Sequence, residues 1–184
     1  MGAVTLRIAR ENGATLDPKQ ARELAGGSQV LAVDPGISGA AVLRLGSSRL
    51  SFRTLDNWEA IAGMVAWSVP LVILLEDQFC GADPAATKEV SFVAGAFVGY
   101  LAAHGAPSFT IVHVMPGTWQ AAQRFRLGLG AVQLSRADGL AAAVRELSRV
   151  DALAAASVRK NQRDGFASAL GILLWWEGLL RCKQ

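Results

Sequence analysis

The sequence predicts an α/β domain in which helices flank a mixed five-stranded sheet. Two observations lead to this prediction. Three strand-like segments, over 30–33, 40–45 and 50–54, follow one another with glycine-containing turns between them, which indicates an antiparallel three-strand meander. Two further apolar runs, over 71–75 and 109–114, alternate with segments of helical periodicity, an order typical of parallel strands joined by helices.

Each predicted helix has a recognisable start. A helix that follows Asp56 carries apolar residues at helical spacing. Pro84 and Pro116 stand at the first position of the next two helices, where the missing N–H group of proline costs nothing. The last two predicted helices cover 136–150 and 161–180, and the second of these is very apolar.

The N-terminal segment differs in composition from the rest of the chain. Residues 1–28 are polar and glycine-rich, and we expect them to form an appendage to a domain over 29–184. They end in Gly26-Gly27-Ser28, a sequence typical of a flexible joint. Within them, segment 17–25 could form a short helix with Pro18 at its first position.

Composition excludes several classes of protein. Hydrophobic residues make up 52% of the 184 residues and charged residues 18%, so the chain has ample apolar surface to bury and is not intrinsically disordered. Cys80 and Cys182 are the only cysteines, which excludes a disulfide framework and fits a reducing, cytoplasmic setting. The longest run without a charged residue or a histidine, 60–75, has sixteen residues, whereas a membrane-spanning helix needs about 20. The N-terminal residues contain no apolar core of signal-peptide length.

Positive charge is concentrated in the second half of the chain. Residues 110–184 hold 10 Lys and Arg against 5 Asp and Glu, a net charge of +5, whereas residues 1–109 hold 8 against 10, a net charge of −2. A basic segment indicates an anionic partner, and nucleic acid is the first candidate. The alternative is that the charges form an ordinary solvated surface. The basic residues considered for phosphate contact are Arg124, Arg126, Arg136, Arg159, Lys160 and Arg163.

Three carboxylates occupy positions where an apolar core would not accept an unpaired charge. Asp34 ends the first predicted strand, Glu76 ends the fourth, and Asp164 lies in the first turn of the last helix. If the two strands are neighbours, Asp34 and Glu76 meet at one end of the sheet. Clustered carboxylates repel one another unless a cation joins them, and oxygen ligands favour Mg²⁺ or Mn²⁺. Taken singly, Asp34 could cap a turn and Asp164 could be a helix-start residue.

Three motifs together resemble the RuvC family of Holliday-junction resolvases. They are VLAVDPG over 30–36, LLEDQF over 74–79 and DGFASAL over 164–170, and the similarity covers about 30–180. The resemblance implies an RNase H-like fold and a homodimer, of bacterial or phage origin, that nicks four-way junction DNA in recombination and repair. It implies no nucleotide cofactor and no membrane contact.

The same resemblance assigns roles to the three acids. Asp34 would bridge two divalent ions, Mg²⁺ with Mn²⁺ as a substitute, while Glu76 and Asp164 would each bind one. The family's fourth ligand, usually Asp or His, stands three residues before the last acid, and here that position is Asn161. An asparagine carbonyl is a poorer ligand than a carboxylate, so Asn161 is either an inactivating substitution or a natural weaker ligand. The alternative function is therefore a junction-binding protein with weakened or no catalysis.

The resemblance also implies two contact regions. Phe79 would stack on an unpaired base at the crossover, although it could instead be a core residue in a loop. Gly95 and Gly99 on the long helix would lie at the two-fold dimer contact, although small residues could equally let this helix pack on its own sheet. Of the basic candidates, the DNA-binding set is Arg124, Arg126, Arg159, Lys160 and Arg163.

Two further classes of protein are alternatives. An actin-like ATPase could use the Asp34-Pro35-Gly36 turn as a phosphate loop, but such chains need a second domain that 184 residues cannot supply. A single-domain RNase H-like nuclease acting on ribosomal RNA precursors remains open, and competition between junction DNA and structured RNA would separate it from a resolvase.

Overall fold

The computed structural model describes residues 6–9, 18–36, 38–45, 49–77, 84–104, 109–126, 128, 138, 141–142, 145, 148–149 and 163–181. The strands are β1 (Leu6–Ala9), β2 (Gln29–Asp34), β3 (Ala40–Leu45), β4 (Arg49–Thr54), β5 (Leu71–Glu76) and β6 (Phe109–Val114). The helices are α1 (Pro18–Ala25), α2 (Trp58–Ala62), α3 (Pro84–Ala103), α4 (Pro116–Arg126) and α5 (Arg163–Arg181). The described residues between α4 and α5, apart from Gly128, are also helical.

The strands form one mixed sheet in the order β1-β6-β5-β2-β3-β4. Strands β2, β3 and β4 make the antiparallel meander, and β2, β5, β6 and β1 run parallel to one another. The predicted mixed sheet of a meander and parallel strands flanked by helices is thus confirmed. The sheet has one strand more than the five predicted, because β1 pairs with the outer edge of β6.

The N-terminal segment contributes to this body. β1 and α1 both fall within the segment 1–28 that was predicted to be an appendage. Ala21 is fully buried, and Leu24 and Ala25 pack against the core beneath α5. The predicted Gly26-Gly27 joint is the turn that ends α1, since Gly26 N–H donates to the Arg22 carbonyl at 3.0 Å and Gly27 has the left-handed φ of 74°. The domain boundary after residue 28 stays a prediction.

The sheet is buried on both faces. On one face Ala32, Leu74 and Val112 pack beneath α1, α4 and α5. On the other face Leu31 and Ile73 pack beneath α2 and α3. All six residues of β5 are buried, as expected for a central parallel strand with helices on both sides.

The alternation of side chains along a strand determines the face of the sheet on which Asp34 and Glu76 lie. Successive side chains of a strand point to opposite faces, so Asp34 shares a face with Ala32, and Glu76 shares one with Leu74. Both acids are therefore directed to the α4 and α5 side of the sheet. Among the described residues, no helix has the length and apolar character needed to cross a membrane.

Candidate active site

Parallel pairing brings Asp34 and Glu76 side by side. Val33 pairs with Leu75 in the register of β2 and β5, and the two acids are the next residue on each strand. Adjacent parallel strands lie about 4.8 Å apart, so two side chains on the same face at the same level are direct neighbours. Their solvent exposure is only 9% and 8%. The strand ends thus place two buried carboxylates in contact, as the sequence predicted for neighbouring strands.

Asp34 is held by a turn and by α5. The N–H group of Gly36 donates to Asp34 Oδ1 at 2.8 Å, and the Ser168 hydroxyl also donates to this carboxylate. Gly39 closes the turn, because its N–H group donates to the Gly36 carbonyl at 2.8 Å and a Cβ atom at residue 39 would overlap the Asp34 carbonyl. The Asp34 carboxylate therefore both caps the turn after β2 and belongs to the acid cluster.

Glu76 is held by a tryptophan from α4. The indole Nε1 of Trp119 donates to Glu76 Oε1 at 2.9 Å. Burial, with the charge of Asp34 acting in the same direction, raises the pKa of Glu76 to about 7. Burial likewise raises the pKa of Asp34, with a smaller contribution from the charge of Asp164. When Glu76 is protonated, its carboxyl can donate a hydrogen bond to Asp34.

Asp164 approaches the pair from the first turn of α5, where it is half-buried. The next residue, Gly165, allows this approach. A Cβ atom there would overlap the Ser38 carbonyl and lie 2.9 Å from the Gly39 Cα atom. Only glycine lets the start of α5 rest directly on the turn that follows Asp34, and this close packing brings the Asp164 charge within electrostatic range of Asp34.

The acid cluster is a contacting pair with a third carboxylate at longer range. Within the described ranges, no group of three or more His, Cys, Asp or Glu side chains is arranged to hold a metal ion. The donor chemistry of the pair nevertheless fits a hard divalent cation. Its available ligand atoms are all oxygens, and two carboxylates buried side by side carry negative charges that a divalent cation would compensate.

The structure locates some of the remaining predicted residues. Arg124 is half-buried and Arg126 exposed in the last turn of α4. Gly95 and Gly99 are exposed on α3, and a Cβ atom added at either would meet no other atom. The predicted residues Phe79, Asn161, Arg159 and Lys160 lie outside the described residues, as does the side chain of Arg163.

Trp119 and Ser168 are members of the site that the sequence motifs did not predict. Ser168 stands four residues after Asp164, a spacing that places both on one helix face, so its position could have been recognised. Trp119 was expected only to lie within a helix, and no local pattern indicates which side chain a buried indole contacts.

Comparisons with known proteins give structural neighbours. No protein-family model matches the chain, and no curated protein matches it. The chain is similar to the Thermus thermophilus RuvC structure with a TM-score of 0.47 and 17% identity, over 78% of this chain and 92% of that one. It is also similar to T. thermophilus RuvC in complex with a Holliday junction substrate, with a TM-score of 0.46 and 16% identity, over 85% and 98%.

The raised pKa of Glu76 predicts a pH-dependent stability of the metal-free protein. Glu76 has an ordinary pKa of 4.5 and titrates at about 7 in the folded state, so its proton stabilises the fold fully below about pH 4.5. This contribution is lost as the pH rises through about 7. In EDTA, we expect the free energy of unfolding to fall by about 2–3 kcal/mol between roughly pH 5 and pH 8.

Urea unfolding at the two pH values measures this loss. Glu76→Gln keeps an oxygen for the Trp119 indole and cannot ionise, so it should remove most of the pH dependence. Asp77→Asn is the matched control, because the Asp77 side chain is 50% exposed. A Glu76→Gln variant with the same pH dependence as the wild type would contradict this assignment.

Proposed function

We propose that this protein is a divalent-metal-dependent endodeoxyribonuclease that resolves four-way DNA junctions by paired nicks. The observation that carries the proposal is the buried Asp34–Glu76 carboxylate pair, with Asp164 within electrostatic range, at one edge of a mixed sheet. The resemblance of the three motifs to RuvC resolvases supports the same conclusion. In this proposal residues 29–184 form an RNase H-like nuclease domain that acts in the cytoplasm of a bacterial cell or a phage-infected host.

Asp34, Glu76, Asp164 and Asn161 are the proposed ligands of two Mg²⁺ ions, for which Mn²⁺ can substitute. When bound, such ions supply Lewis acidity at the phosphodiester and make water a better nucleophile. Burial of Asp34 and Glu76 supports this assignment, because water-excluded carboxylates bind a cation more strongly than solvated ones.

The surrounding residues fix the orientation of the two buried carboxylates. Gly36 and Ser168 donate to Asp34, and Trp119 donates to Glu76, so neither carboxylate is free to rotate. Gly165 keeps α5, and with it Asp164, close to the turn that holds Asp34. A fixed set of carboxylates needs no rearrangement when substrate and cation arrive.

Basic residues on α4 and α5 are the proposed DNA contacts. Helix α4 carries Trp119 beside Glu76, and Arg124 and Arg126 in its last turn, so it extends from the acid pair to a basic end. The remaining proposed contacts are Phe79, which would stack on a base at the crossover, and Arg159, Lys160 and Arg163. Phosphate contacts of this kind make affinity fall steeply with salt.

The exposed face of α3 is the proposed contact of a homodimer. Phe92 is 76% exposed, and Gly95 and Gly99 follow at spacings of three and seven residues, which places all three on one side of the helix. An exposed aromatic ring beside two glycines with open space offers apolar surface and room for a second helix. Two copies related by a two-fold axis would present two acid pairs to two symmetry-related strands of a junction.

The proposed nuclease activity depends on Glu76 and not on Asp77, the next residue along the chain. We expect the wild type to nick a synthetic four-way junction in Mg²⁺, and Glu76→Gln to lower the rate at least about a hundredfold. Asp77→Asn should stay close to the wild type. Asp77 is half-exposed and borders a cleft of about 250 Å³ beneath α3, with His113 at 3.8 Å.

Gel electrophoresis of labelled junctions measures these rates, and a mobility-shift assay checks that both variants still bind the junction. Equal cleavage by wild type and Glu76→Gln would contradict the proposed site. Faster cleavage of structured RNA than of junction DNA would contradict the substrate assignment.

A junction-binding protein without efficient catalysis is the second candidate. Two observations favour it: Asn161 stands where the resembled family usually has Asp or His, and the described acids form a pair with a more distant third member. Such a protein would bind four-way junctions and nick them slowly or not at all with any divalent ion.

The Asn161→Asp variant separates the two candidates. If Asn161 is a weak metal ligand, the added carboxylate should raise the cleavage rate and lower the Mg²⁺ concentration needed for half-maximal rate by about tenfold or more. A titration of junction cleavage against Mg²⁺ measures both quantities. Equal rates of the wild type and Asn161→Asp at low Mg²⁺ would show that position 161 is not a metal ligand.

A further inference from the structure

The contact between Trp119 and Glu76 is the feature of the site that no sequence motif indicates. Trp119 lies near the start of α4, has an exposure of 7%, and donates its indole N–H to Glu76 Oε1 at 2.9 Å. The donor is neutral. A lysine or arginine in its place would pair with the carboxylate as a fixed cation, whereas an indole orients the carboxylate and leaves its negative charge available.

The indole ring has one position because α5 shapes its seat. A Cβ atom at Gly171 would lie 2.7 Å from the Cε3 and Cζ3 atoms of Trp119, and 2.5 Å from Nε2 of the buried Gln123. Real Cβ atoms do not approach ring carbons this closely, so the glycine is what admits the ring between α4 and α5. The ring therefore cannot move toward α5 without displacing that helix.

The residues of α5 that serve the site form one stripe. Asp164, Ser168 and Gly171 stand at intervals of four and three residues, which places them on one face of the helix. Each makes a different contribution: Asp164 a charge near Asp34, Ser168 a hydrogen bond to Asp34, and Gly171 the seat of the ring that holds Glu76. One helix face thus positions both members of the acid pair.

We propose that Trp119, seated against Gly171, is a positioning residue that fixes Glu76 through Oε1 and leaves Oε2 to face a divalent cation. This inference rests on the proposed function, since it assumes that the acid pair binds a cation. Hydrogen bonds to ligand side chains set their orientation, and their removal lowers metal affinity about 10–100-fold. Trp119 therefore sets the affinity of the site without contacting the cation.

A pair of identical substitutions tests the proposal. Trp119→Phe removes the N–H donor and keeps an aromatic ring. Trp176→Phe is the matched control, because Trp176 packs in the same core cluster and its Nε1 is buried without a hydrogen-bond partner among the described residues. Both variants replace a buried indole, and only the first removes a hydrogen bond to Glu76.

The measurement is the dissociation constant of Mn²⁺, obtained from the electron paramagnetic resonance signal of the free ion at fixed pH. This quantity does not depend on catalysis, and circular dichroism verifies that each variant is folded. We expect Trp119→Phe to weaken Mn²⁺ binding about tenfold or more and Trp176→Phe to change it less than about twofold. A purely structural role of Trp119 would lower the thermal midpoint and leave the Mn²⁺ dissociation constant unchanged.

Two further variants keep the test decisive if Trp119→Phe does not fold. Gly171→Ala retains the indole and forces it from its seat, so it should also weaken Mn²⁺ binding, and Trp119→His restores a ring N–H and should recover part of the affinity. Mn²⁺ binding by Trp119→Phe or Gly171→Ala as tight as by Trp176→Phe would overturn the positioning role and leave the proposed nuclease intact. A wild type that binds no Mn²⁺ would overturn the proposed function, and the positioning role with it.

Discussion

The site depends on one constraint: the fold buries the carboxylates of Asp34 and Glu76 side by side, although each would be more stable in water. The parallel register of β2 and β5 puts Asp34 and Glu76 at the same level, and alternation directs both beneath α4 and α5. Burial then raises the pKa of both groups, and the charge of Asp34 also raises that of Glu76, so in the absence of a cation the pair keeps a proton until the pH rises through about 7. A divalent cation would satisfy the same two charges without that proton, which is why the pair is suited to bind one.

Helix α5 holds the residues around the Asp34–Glu76 pair in place. Glycines at two of its positions remove the side chains that would hold it away from its neighbours: Gly165 from the turn after Asp34, and Gly171 from the indole of Trp119. The close packing of α5 therefore positions the polar side chains of the site as well as stabilising the core. The same helix is buried along most of its length, so the apolar energy that holds α5 on the sheet also fixes the polar contacts at its N-terminal end.

Much of this arrangement could be predicted from local pattern. Strand ends at Asp34 and Glu76, and the helix start before Asp164, follow from apolar runs and their boundaries, and neighbouring strands explain why the two strand-end acids meet. The contacts of Trp119 and Ser168 could not be predicted with equal ease, because they arise where α4 and α5 pack together. Strand β1 was missed because its alternation is only four residues long and lies in a segment of polar, glycine-rich composition, and its pairing depends on the free edge of β6.

The most direct measurement of the central claim is the anomalous X-ray scattering of Mn²⁺ in crystals of the protein soaked with the ion. We predict an anomalous peak between the carboxylate oxygens of Asp34 and Glu76, on the side that Asp164 approaches, and no such peak in crystals of Glu76→Gln. Mn²⁺ bound only elsewhere on the molecule, with no anomalous peak between Asp34 and Glu76, would contradict the account.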